Sequence, residues 1–121
     1  MIRVQWISHK GKNILFMDCT GCSAEELVKV ADKSRRIISA RPHNSVLTLG
    51  DLTGAKITRE AVEHIQKILV LNRPFVKRSA LVGAESLPPV LLKSMIAFSQ
   101  RQLPTFPTRE EAMDWLVSEE E

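Results

Sequence analysis

The stretch that most constrains this chain is Ser45 to Ile65, SVLTLGDLTGAKITREAVEHI. Val46, Leu47 and Leu49 make a short apolar run of β-formers that stops at Gly50-Asp51 and turns through Thr53-Gly54. Thr58 then stands where a helix cap belongs. Beyond it Ala61, Val62, Ile65, Ile68 and Leu69 recur at helical spacing, while Glu60, Glu63, His64 and Lys67 fall on the opposite side. A buried strand, a tight turn and an amphipathic helix make one βα unit, and such a unit is stable only when its helix lies on a sheet.

The flanking sequence supplies that sheet. Ile2, Val4 and Trp6 alternate with Arg3 and Gln5, His9-Lys10-Gly11-Lys12 turns, and Asn13 to Met17 returns, which predicts a β-hairpin. After the loop Asp18-Cys19-Thr20-Gly21-Cys22, Ser23 and Glu26 form a capping box for a helix that starts at Ala24 and buries Leu27, Val30, Ala31, Ser34 and Ile38, with Pro42 closing it. Asn72-Arg73-Pro74 breaks the second helix, and Ala80-Leu81-Val82 makes another short strand that ends at Gly83. Pro88 and Pro89 suit the first turn of a third helix running from Val90 to Phe98. Phe106 lies in a short extended piece, and Thr108 with Glu111 caps a last helix that Trp115 is expected to anchor on the sheet, sharing a face with Ala112 and Leu116. The order ββαβαβαβα predicts a single α/β domain over residues 1–121, with a mostly parallel sheet, helices packed against it and one antiparallel strand.

Composition excludes several classes. The chain is 44% apolar and 26% charged, ordinary for a globular protein. No apolar run reaches the roughly 20 residues needed to span a bilayer. The start MIRVQWIS has no basic-then-apolar layout, so the cytoplasm is the expected compartment. The net charge of +3 is spread in pairs such as Arg35-Arg36 and Lys77-Arg78, there is no tyrosine, and the chain ends in Glu119-Glu120-Glu121, so nucleic acid is not an expected partner.

The order of elements, the Asp51-Leu52-Thr53-Gly54 turn, the Ala80-Leu81-Val82-Gly83 strand and the terminal Phe106-Pro107-Thr108-Arg109-Glu110-Glu111-Ala112-Met113-Asp114-Trp115-Leu116 together resemble the SpoIIAA-like branch of the STAS domains. The resemblance covers almost the whole chain. It implies a bacterial cytoplasmic domain, in a superfamily that includes anti-sigma-factor antagonists and is structurally similar to CRAL-TRIO lipid-binding domains. Those antagonists usually carry Asp-Ser-Ser-Gly at the start of the second helix, where the first serine is phosphorylated. Aligned on the Asp-Leu-Thr-Gly turn, this chain has Arg59 and Glu60 in place of the aspartate and that serine, so the switch is not implied. Glu60 is either a first-turn acid favoured by the helix dipole or a permanent stand-in for a phosphate. Thr58 is either a cap or a phosphoacceptor.

No residue pattern points to a catalysed reaction. Cys19-Thr20-Gly21-Cys22, between a strand and a helix N-terminus, has the spacing of a thiol-redox site, but Cys22 precedes the Ser23 cap instead of entering the helix. The plainer reading is a pair of small, half-buried residues that serine could replace. No metal site is expected, since His9, His43 and His64 share no ligand spacing with the cysteines, and no cofactor is implied. Asp18 and Asp51 end successive strands, at the sheet edge where α/β proteins take ligands, and either pair as acids or hydrogen-bond their own turns. Thr53, Gly54 and Gly83 stand on that same edge as candidates for partner or ligand contact.

The third helix carries more apolar residues than one sheet-facing stripe needs: Leu91 and Met95, in line with Phe98, form one, and Leu92 with Ile96 a second. One of these stripes is therefore expected to meet a partner, a second copy in a homodimer, or an apolar ligand. The chain reads as a non-catalytic regulatory domain acting by protein binding or self-association, with a small lipid-like ligand as the alternative and a thiol-redox protein through Cys19 and Cys22 as a further one.

Overall fold

The computed structural model describes residues 2–99 and 102–118, and the side chains of all of these except 98 and 99. The elements follow the expected order: β1 (Val4–His9), β2 (Lys12–Asp18), α1 (Ala24–Ile38), β3 (Val46–Asp51), α2 (Arg59–Asn72), β4 (Val76–Val82), α3 (Pro89–Ser99), β5 (Thr105–Phe106) and α4 (Arg109–Val117). A 3-10 turn at Ala84–Ser86, which sequence periodicity does not show, joins β4 to α3.

The sheet has the simple order β1-β2-β3-β4-β5, with β1 antiparallel to β2 and every later pair parallel. The β1–β2 hairpin turns on Lys10 and Gly11, both at positive φ (49° and 82°), the two-residue geometry whose twist matches that of the strands. From β2 onward the strand order advances in one direction, and right-handed crossovers then place successive helices on one face of the sheet. That face carries α1 and α2, whose Leu27, Val30, Ile38 and Ile65 pack with Val4, Leu15 and Val46. Helix α4 follows the last strand and covers the other face, where Ala112 and Leu116 meet Ile14, Phe16, Leu47, Leu49 and Ala80. Strand β3, covered on both sides, is buried along all six residues.

The expected caps are present. Ser23 and Glu26 bond reciprocally at the start of α1, and the Thr58 and Thr108 hydroxyls accept from the Ala61 and Glu111 amides at the starts of α2 and α4. Helix α3 lies differently from α1: it rests on α2 and turns Met95 inward, leaving Val90 76% exposed and Leu91, Leu92 and Ile96 half-buried. Phe98's side chain, placed in one stripe by its spacing, lies outside the described residues.

The expectation that Trp115 anchors the last helix needs correcting. Ala112 and Leu116 are the fully buried pair, whereas Trp115 is half-buried at the rim, its ring 5.6 Å from Phe106 and under the Arg78 guanidinium at 4.9 Å. Neighbouring side chains point about 100° apart on a helix, and here Leu116 and Val117 take the buried side while Trp115 is turned to the rim. Leu116→Ala is thus expected to cost about 3 kcal/mol and Trp115→Ala less, roughly 1–2 kcal/mol, measured by urea unfolding of the two variants. A larger loss for the tryptophan variant contradicts this packing.

Candidate functional site

Two four-residue turns dominate the carboxyl edge of the sheet. Asp18-Cys19-Thr20-Gly21 leaves β2 and Asp51-Leu52-Thr53-Gly54 leaves β3, so the same Asp-x-Thr-Gly pattern follows two strands whose last residues are register partners. In each turn one aspartate oxygen accepts both the amide and the hydroxyl of the threonine two residues on: 3.1 and 2.6 Å for Asp18 with Thr20, 3.0 and 2.7 Å for Asp51 with Thr53. The glycines that follow are left-handed, Gly21 at φ 66° and Gly54 at φ 70°. The turns also continue the parallel ladder beyond the strands, through Cys19 N to Asp51 O (2.9 Å), Gly21 N to Thr53 O (2.8 Å) and Leu52 N to Val82 O (2.8 Å). Gly83 completes the edge at φ 74°, where a Cβ would collide with the backbone and hydroxyl of Thr53.

Arg109, the first residue of α4, reaches this edge from the opposite face of the sheet. Its Nε donates to the second oxygen of Asp51 at 2.7 Å, its Nη2 lies 3.8 Å from Asp18, and its guanidinium stacks 4.6 Å above the Phe16 ring. Arg3 closes the other side by donating to the backbone carbonyls of Asp18 and Thr20. Both Asp51 oxygens are therefore occupied. Burial works to raise the Asp51 carboxyl, but the hydroxyl and amide of Thr53 and the Arg109 guanidinium outweigh it and hold it below the ordinary carboxylate value. A carboxylate locked in its charged form by this many donors is a joint between β3 and α4 rather than a proton carrier at neutral pH.

The structure brings Asp18, Asp51, Thr53, Gly54 and Gly83 together, as the sequence reading grouped them. Thr58 and Glu60 follow on the same loop: Thr58 caps α2 and Glu60 is exposed in its first turn. Leu92, Met95 and Ile96 belong elsewhere, on α3. Sequence reasoning missed Arg109, Arg3 and Ser86, whose hydroxyl accepts the Gly54 amide at 2.9 Å. The repeated Asp-x-Thr-Gly was visible and marks the edge; the arginines were not, because nothing local ties them to it.

The cysteines are deeper than expected. Both are free and buried rather than half-buried, Cys22 fully so. Burial, helped by the neighbouring Cys22, pushes the Cys19 thiol up from 9.0 to about 12, and burial likewise raises Cys22. The thiolate that redox chemistry needs is disfavoured at both positions. The expectation that serines would fit here falls with the exposure, since a buried hydroxyl requires a partner. Among the described residues no group of three or more His, Cys, Asp or Glu side chains is placed to hold a metal ion.

Between the sheet and the α1–α2 layer lies an apolar cavity of about 110 Å³. Its origin is the small side chains on the sheet floor: Thr48 and Ser79, joined by a 2.7 Å hydrogen bond, and Gly50, which has none. Ile65, Ile68 and Leu69 of α2 and Met95 of α3 roof it.

Two outcomes are expected from this edge. Asp51→Asn removes the ion pair with Arg109 and is expected to cost about 2 kcal/mol at pH 7. Because the folded carboxyl titrates below its ordinary value of 3.8, its stabilisation is fully present above that value and is lost as pH falls through the folded one, so the parent's melting temperature should drop more steeply below pH 4 than the variant's. Equal acid slopes in the two proteins contradict the assignment. For the thiols, iodoacetamide at pH 8 should label neither cysteine in the folded protein and both in urea, read by intact mass. Since Cys19 titrates near 12 folded and near 9.0 unfolded, its stabilisation is complete below pH 9 and declines as pH rises towards 12, and thermal stability should fall with it.

No family model matches the chain, and no curated protein matches it either. Among solved structures, it is similar to the crystal structure of an uncharacterized protein from the DUF3478 family with a SpoIIAA-like fold from Shewanella loihica PV-4. The TM-score is 0.72 with 16% identity, over 94% of this chain and 92% of that one. The hairpin, the monotonic parallel sheet, the three-helix layer on one face and the single helix on the other are therefore the SpoIIAA-like fold.

Proposed function

We propose that this chain is a non-catalytic interaction domain that binds a protein partner or a second copy of itself through α3. The observation that carries the reading is the disposition of that helix. Its eleven residues include one charged side chain, Lys93, yet among its described side chains only Met95 is buried, while Val90 is exposed and Leu91, Leu92 and Ile96 are half-buried. An apolar helix that rests on another helix, and keeps this much of its surface open, is the kind of element that association covers. The SpoIIAA-like fold is consistent with a regulatory interaction domain, and a bacterial cytoplasmic setting belongs to the same reading. Among the described residues no helix is long and apolar enough to cross a membrane.

The cavity favours a second reading, a small apolar ligand. Its size decides the ranking: 110 Å³ is well below the roughly 300–1,000 Å³ of ordinary ligand sites, so a lipid chain would enter only if α3 moved outward. Native mass spectrometry of the purified protein separates the two, since retained lipid is expected only under the second.

On the association reading the Met95 stripe faces the core and the Ile96 stripe is the open one, in keeping with the burial of Met95. Met95→Lys strands a charge beside the core and is expected to abolish folding, whereas Ile96→Lys should fold with stability within about 1 kcal/mol of the parent and lose self-association or partner capture in sedimentation and pull-down. If both variants unfold, α3 has no open face. If both fold and sediment as the parent does, association does not use this helix.

A further inference from the structure

The void between the sheet and the helix layer is large for its place. Protein interiors are close-packed, with few gaps bigger than a water molecule, whereas this one measures about 110 Å³. Its polar lining residues, Ser34, Thr48, Asn72 and Ser79, are all engaged with the protein itself. The Thr48 hydroxyl donates to the Ser79 oxygen at 2.7 Å, the Ser34 hydroxyl donates to the Ala31 carbonyl at 2.8 Å, and the Asn72 side-chain oxygen accepts from the Arg35 guanidinium at 3.1 Å. Among the described residues no buried side-chain nitrogen or oxygen lacks a hydrogen-bond partner. A water molecule needs about two to four polar partners to settle in a cavity, and this lining has already made its hydrogen bonds. The rest of the wall is apolar, and Met17 from the sheet and Met95 from α3 add thioethers, which adapt in shape and favour aromatic edges.

We propose that this cavity is a binding site for one compact apolar molecule, up to the size of a single aromatic ring. The site rests on the apolar-ligand reading of the same cavity, and differs in that the ligand fits with α3 in its present seat. An apolar void of about 150 Å³ lined by leucine, isoleucine and phenylalanine stays dry and takes benzene or xenon. The void here is somewhat smaller, so a six-membered ring is its upper limit and a lipid chain exceeds it. Binding gains the dispersion contacts that wall atoms lack while the space is empty. Those contacts come from three layers at once, Leu81 in the sheet, Leu27 of α1 and Ile65 of α2, so a ring is held between the sheet and the helices.

The test is titration of the full chain with benzene, followed by methyl NMR. A Kd of about 1 mM or tighter is expected, an affinity within reach of so small a ligand. Intermolecular contacts should run from the ring to the methyl groups of Leu27, Ile65 and Met95. Ala31→Leu fills the void from α1 and should abolish that binding in a folded protein. Should the variant not fold, the contacts seen in the parent decide alone. No binding by the parent, contacts to the exposed Leu71 or Val90 instead, or binding that survives in folded Ala31→Leu each overturns the proposal. Dodecanoate is the discriminating competitor. If it displaces benzene at a lower concentration than benzene itself requires, the void is the inner end of a lipid site opened by α3, and the compact-ligand proposal falls while the apolar-ligand reading stands. If neither compound binds, both fall, and association through α3 is judged separately by the sedimentation of Ile96→Lys.

Discussion

The constraint on which this structure rests is the burial of β3 on both faces. A strand with no face to water requires a helix layer on each side, and its residues divide the work unequally. Leu47 and Leu49 face α4 and fill that layer densely. On the α1–α2 side β3 offers Val46, Thr48 and Gly50, beside Ser79 of β4. Small residues at the centre of a sheet leave space that two helices, held apart by their own side chains, do not fill. The apolar cavity is thus a property of the strand pair, and α2 and α3 form a roof over it rather than a plug.

The two helix layers are joined at the carboxyl edge by polar contacts instead of apolar ones. Asp51 belongs to the most buried strand, receives its own turn's amide and hydroxyl, and is met by Arg109 from the far side of the sheet. The adjoining Asp18 turn repeats the arrangement one strand over, and ladder hydrogen bonds fuse the two turns. A site with this many satisfied acceptors is pre-organised, and it ties the strand ends to one another and to α4.

Much of this was legible in the sequence because it is locally encoded. The Ser23–Glu26 box and the Thr58 and Thr108 caps are written within four residues, and the strand and helix periods need only a short window. What was not legible depends on distant parts of the chain. Arg109 reaches Asp51 only because α4 crosses to the second face, and the apolar cavity takes shape only when β3 and β4 are laid side by side under α2 and α3. The depth of Cys19 and Cys22 follows from the ladder extending past the strand ends, and the smaller role of Trp115 from the way α4 is rotated on the sheet, with Leu116 and Val117 inward. The choice between stripes on α3 needed the location of α2, which no period in α3 itself contains.

The last strand has one more consequence. β5 is two residues long, and Pro104 and Pro107 flank it, so the chain there has no amide to offer a further strand on either side of that pair. The sheet is closed to extension at this end, and its single long edge is β1. Pairing of two copies through β1 would give a continuous ten-stranded sheet whose outer edges are both β5, the kind that accepts no addition. Edge-to-edge growth of the native sheet past β5 is therefore disfavoured by a pair of prolines.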